Sequence, residues 1–75
     1  MEQYGNLNGD SGVTRFEIGP LDIKVEFRDG SVYLYNEQRP SVRHVEEMVR
    51  LARAGSGLNS YISRVVKKNY AAKLR

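Results

Sequence analysis

Residues 21–35 read Leu21-Asp22-Ile23-Lys24-Val25-Glu26-Phe27-Arg28-Asp29-Gly30-Ser31-Val32-Tyr33-Leu34-Tyr35. Leu21, Ile23, Val25 and Phe27 alternate with polar residues without a break, the period-two pattern of a strand with one buried face. The run stops at Asp29-Gly30, a dipeptide suited to the positive φ angles of a two-residue type I′ hairpin loop, and resumes as Val32 to Tyr35. Such a loop pairs Arg28 with Ser31, Phe27 with Val32 and Val25 with Leu34, placing apolar residues opposite one another. The outer face is then expected to carry Lys24, Glu26, Arg28, Tyr33 and Tyr35.

Working toward the N-terminus, Gly19-Pro20 marks another turn, and Val13, Phe16 and Ile18 before it form a further strand that brings Arg15 and Glu17 to the outer face. Residues 1–12 are rich in Gly and Asn, with only Tyr4 and Leu7 as anchors, and read as a flexible arm. Toward the C-terminus the period changes. After Pro40 and the candidate cap Ser41, Val42, Val45, Met48, Val49 and Ala52 recur at helical spacing, predicting a helix over Ser41 to Ala54 that ends at Gly55. A second helix opens with Leu58 as staple and Asn59 as cap, carries Tyr61, Ile62, Val65 and Val66 on one face, and leaves Tyr70 to Leu74 as a last turn or frayed tail. The expected fold is α+β: a three-stranded antiparallel meander covered on one face by two helices, in the order β-β-β-α-α. The domain proper is expected over 13–75.

The chain has 75 residues, 40% of them hydrophobic and 28% charged, which fits one small folded domain and leaves no room for a two-domain enzyme. No run of apolar residues is long enough for a membrane span, and the first residues lack a basic-then-apolar leader, so a cytoplasmic protein without a membrane partner is expected. The net charge of +3 conceals a polarity: through Glu37 there are three basic and seven acidic residues, and from Gln38 onward nine basic and two acidic. A net −4 half therefore precedes a net +7 half. That asymmetry suits a basic surface for phosphates, and it equally suits ordinary solvated helix faces.

Several chemistries are poorly served. There is no cysteine for a disulfide, a thiolate metal site or a nucleophile. His44 is the only histidine and falls in the first turns of a helix beside Arg43, a position typical of a solvated side chain. Glu46 and Glu47 diverge by about 100° around a helix and cannot share a metal. Asn6, Asn8, Asp10, Gly12, Thr14 and Glu17 match the spacing of a calcium loop, but Ser11 replaces its turn glycine and Glu17 belongs to a strand. Gly55-Ser56-Gly57, with Arg53 nearby, has the makings of a phosphate-holding turn, although a glycine hinge between helices explains it more simply. No metal, no cofactor and no nucleophile–base pair is expected, and the chain reads as non-catalytic.

Phe27 to Gly30, the Val32-Tyr33-Leu34-Tyr35 strand, the helix begun at Pro40, and then Gly55, Leu58, Asn59 and Ile62 together resemble the KTSC domain. This short module occurs alone, in phage and bacterial proteins, and at the C-terminal end of some lysyl-tRNA synthetases. The likeness spans Val13 to Tyr70; Arg53 stands where the family has serine, and Gly57 where it has an aromatic residue. The resemblance implies an accessory module, and the synthetase association implies RNA contact.

Two functions are therefore expected side by side. In the first, single-stranded or structured RNA, or another nucleic acid, meets Arg53, Arg64, Lys67, Lys68 and Lys73 through its phosphates. Its bases meet Tyr33 and Tyr35 beside Lys24 and Arg28. In the second, the exposed sheet face or edge, with Tyr4 and Leu7 of the arm, meets a protein partner or a second copy in a homodimer.

Overall fold

The computed structural model describes residues 1–7, 9 and 11–75. Five antiparallel strands follow one another in space as in sequence: β1 (Glu2–Gln3), β2 (Val13–Ile18), β3 (Asp22–Phe27), β4 (Val32–Asn36) and β5 (Ala72–Lys73). Helix α1 (Val42–Ala54) and a second helix, α2 (Leu58–Tyr61), which continues as a π-helical turn over Ile62–Val66, cover one face. The α+β class is as expected, but the sheet has five strands instead of three. Both extra strands come from segments whose composition reads as loose, the residue 1–12 arm and the Tyr70–Leu74 tail.

Each extra strand is tied down by particular contacts. Tyr4, following β1, is 4% exposed, its backbone N–H donates to the Thr14 carbonyl at 2.9 Å, and its hydroxyl accepts from the Leu58 N–H at 3.2 Å. That bond supplies the partner that a helix start lacks. It also corrects the expected cap: Gly57 stands at the cap position with φ 89°, and α2 begins at the fully buried Leu58. At the other end Lys67 turns the chain out of the helix with φ 54°. The tail then runs back along β4, where Ala71 and Leu74 donate to the carbonyls of Leu34 and Val32, each at 2.7 Å. Two short edge strands thereby cover both edges of the central three, which would otherwise present unpaired backbone groups.

The register of the central hairpin differs from expectation by one residue. A type I′ loop needs positive φ at both Asp29 and Gly30, and only Gly30 has it, at 87°. The loop instead has three residues, Arg28-Asp29-Gly30. It is closed by the Phe27 N–H to the Ser31 carbonyl and the Gly30 N–H to the Phe27 carbonyl, both 2.9 Å, with glycine at the left-handed bulge position. The Asp29 carboxylate accepts from the Ser31 N–H at 3.0 Å and from its hydroxyl at 2.6 Å, which favours this turn. A one-residue slip reverses every side chain of β4. Val25 now faces Tyr33 and Ile23 faces Tyr35, so both tyrosines lie on the helix side, while Val32 and Leu34 face outward opposite Glu26 and Lys24. The slip sends two large rings to the helix side, where Tyr35 is only 1% exposed and Tyr33 is half-buried.

β2 adapts by a bulge between Val13 and Arg15, which lets Val13 and Phe16 both turn inward while Arg15 opposes Glu26 and Glu17 opposes Lys24 on the outer face, as expected. Pro20 and Leu21 form the loop to β3, and Leu21 is exposed instead of starting the strand. Helix α1 keeps its expected span, with the Ser41 hydroxyl accepting from the His44 N–H and Gly55 ending it at φ 74°. Its Val45, Met48 and Ala52 meet Phe16, Ile23, Val25 and Tyr35 from the sheet and Leu58, Ile62 and Val66 from the second helix. Among the described residues no helix is long and apolar enough to cross a membrane.

Candidate nucleic-acid interface

The outer sheet face is a neutralised surface. Glu26 is 6% exposed although it points away from the helices, because Arg15 holds it in a two-pronged bond (2.6 and 3.0 Å), Arg75 reaches it from the tail at 2.7 Å, and the Thr14 hydroxyl donates to it at 3.2 Å. The Arg15 bond holds the Glu26 carboxyl below the usual carboxylate range despite the opposing desolvation, helped by the Thr14 bond and the charges of Arg15 and Arg75. Lys24 bonds Glu17 at 3.4 Å. Of Lys24, Arg28, Tyr33 and Tyr35, Lys24 alone lies on this face, with Arg15 beside it in the neighbouring strand. Tyr33 and Tyr35 are on the other side, and Arg28 sits on the hairpin loop with its guanidinium on the Ser11 carbonyl at 3.2 Å. Burial removes Tyr35 from any stacking role and pushes its hydroxyl up to about 12.

An aromatic-basic group does form elsewhere. Where the tail returns along β4, the half-buried rings of Tyr33 and Tyr70 lie 4.6 Å apart, with Phe27 edge-on to Tyr33 at 5.7 Å. Lys73, opposite Tyr33 in the β4–β5 register, holds its ammonium 5.9 Å from the centre of that ring. Lys67 and Lys68 are exposed on the turn leading into Tyr70, and Arg64 is exposed one helical turn earlier. None of Arg64, Lys67 and Lys68 has an acidic partner among the described residues. Asn69 on the same turn accepts from the Arg39 guanidinium at 3.1 Å and adds a further cation. The structure therefore brings Tyr33 and Lys73 together with Tyr70, and leads into Tyr70 through the exposed Arg64, Lys67 and Lys68. It leaves out Lys24, Arg28 and Tyr35, and it places Arg53 elsewhere, beside the β2–β3 loop. Tyr70 and Arg39 are members that the sequence pattern does not single out, since their place depends on the tail being a strand.

The remaining motifs have structural partners. The Gly55-Ser56-Gly57 turn borders a polar cleft of about 140 Å³ with Tyr4, Asn6, Ser11 and Asn59, but the Leu58 N–H that would face an anion is taken by Tyr4, and the Gly55 carbonyl accepts from Leu7 at 2.8 Å. His44 Nδ1 lies 2.7 Å from the Ser41 hydroxyl; that hydroxyl serves as the helix cap, and no carboxylate backs the imidazole among the described residues. Of the calcium-loop positions, Asn8 and Asp10 lie outside the described residues. Thr14 and Glu17 are strand residues engaged with Glu26 and Lys24.

Exposed Lys and Arg heads can bind phosphates, and half-buried tyrosine rings can flank a base. Comparison with protein-family models, with curated proteins and with solved structures finds no match for this chain.

Proposed function

We propose that the chain is a small non-catalytic nucleic-acid-binding module that takes RNA along Arg64, Lys67, Lys68 and Lys73, with the Tyr33–Tyr70 pair flanking a base at the end of that strip. The observation that carries this reading is the run of exposed cations Arg64, Lys67 and Lys68, with no salt-bridge partner among the described residues, leading into Tyr70, whose half-buried ring packs on Tyr33 beside Lys73. Phosphate contacts supply most of the affinity, because both rings are partly used in packing against each other. Membership of the KTSC family and a cytoplasmic location belong to the same proposal. The V-Y-x-Y strand β4 and the hinge through Gly55, Leu58, Asn59 and Ile62 support it.

The test is fluorescence anisotropy with labelled single-stranded RNA, single-stranded DNA and an RNA hairpin at low and raised salt. Binding is expected to weaken with salt, and K67E/K68E is expected to flatten the log–log slope by about 1.4, at about 0.7 per lost phosphate contact. R53E serves as a control and is expected to leave that slope unchanged. Equal affinity of K67E/K68E and the parent would refute the interface.

A further inference from the structure

Helix α1 carries a second stripe that the basic strip does not use, exposed at Val42, Glu46 and Arg53 and half-buried at Val49, which also packs against the core. Val42, Glu46, Val49 and Arg53 follow one another at spacings of four, three and four, so they lie along one side of the helix. They border an open groove of about 360 Å³ against the Gly19-Pro20-Leu21 loop, where Leu21 is 55% and Val42 40% exposed. Both residues are apolar positions of the sequence pattern that the fold leaves without a cover. Glu46 and Arg53 are exposed, and neither has a partner of opposite charge among the described residues.

We propose that this face pairs with a second copy of the chain, two α1 helices lying antiparallel about a two-fold axis that passes beside Val49. The argument is self-complementarity. Glu46 and Arg53 are seven residues, or about 10.5 Å, apart along the helix, with Val49 between them. A two-fold axis at that midpoint brings Glu46 of each copy to Arg53 of the other, forming two ion pairs around an apolar centre, as an isologous interface requires. Arg50, next to the axis, is already neutralised by Glu47, its Nε donating at 2.9 Å. Leu21 and Val42 then lie at the flanks of the contact and lose their exposure to water. No other occupant is suggested by the charge pattern, in which an acid and a base balance on one stripe.

Sedimentation equilibrium over about 1 μM to 1 mM tests this. The parent chain is expected to show a monomer–dimer equilibrium. E46R or R53E alone, each setting like charges against each other twice, is expected to weaken dimerisation at least about tenfold, and the charge-swapped E46R/R53E to recover it to within about threefold. All three variants change only exposed positions, and circular dichroism verifies that they fold. A monomer across the whole range would overturn the proposal, as would a dimer indifferent to the single reversals or a double variant that fails to recover.

Discussion

Tyr4 is the sharpest probe of how this small domain holds together. Its ring belongs to the buried core and its hydroxyl accepts from the Leu58 N–H, 54 residues away, at the start of α2. Tyr4→Phe keeps the ring and removes that acceptor. An orphaned buried donor costs about 1–3 kcal/mol, and the low end is expected here because the adjoining polar cleft of about 140 Å³ can admit a water to the freed N–H. Tyr4→Ala also removes the ring from a filled core, which raises the loss to about 3–5 kcal/mol. A domain of this size has about 5–15 kcal/mol in total, so the alanine variant approaches the limit of folding. Urea denaturation gives both numbers directly, and each kcal/mol lowers the melting temperature by about 4–8 °C. If Tyr4→Ala stays within about 0.5 kcal/mol of the parent, the N-terminal segment is no part of the folded core and the reasoning fails.

Two further outcomes follow from titrating groups. The Glu26 carboxyl is held below its ordinary value by Arg15, so its contribution to stability is present above about pH 4.3 and is lost as pH falls through the folded-state value; E26Q is expected to be less stable than the parent near neutral pH and to show a shallower acid decline in urea titrations at about pH 7 and about pH 3. An equally steep acid decline in E26Q would assign that loss to other carboxylates. Tyr35 is pushed in the opposite sense, up to about 12 by burial and by Tyr33 and Tyr70, so the folded chain keeps a proton that the unfolded chain loses near pH 10. Stability is therefore intact below about pH 10 and falls by up to about 3 kcal/mol as pH rises through the folded value, a decline that Y35F should lessen and that tyrosinate absorbance should track.

The strands β2 and β3, the turn at Asp29-Gly30, helix α1 with its Ser41 cap and Gly55 stop, and the start of the second helix near Leu58 are all legible in the sequence. Their signals are local: period two or 3.6, a capping hydroxyl and a glycine at a left-handed position. The facing of β4 is not legible, because Val32-Tyr33-Leu34-Tyr35 is apolar or aromatic at every position and so lacks the alternation that tells one face from the other. The loop length decides it. One extra residue in the Asp29-Gly30 turn moves Tyr33 and Tyr35 from the outer face to the helix side. The candidate interface moves with them, from the row beside Lys24 to the corner where Tyr70 and Lys73 arrive.

The sequence by itself determined the α+β class, the helix-covered sheet and the concentration of positive charge in the second half, since each rests on composition or on a repeat within one segment. Only the tertiary structure decided that residues 2–3 and 72–73 are strands, because two-residue strands have no period of their own and form only where a neighbouring edge offers N–H and carbonyl groups to satisfy. It also decided that Lys73 comes to rest over the Tyr33 ring. That depends on Lys67 turning the chain back along β4, where Tyr70 meets Tyr33, a residue far from it in sequence.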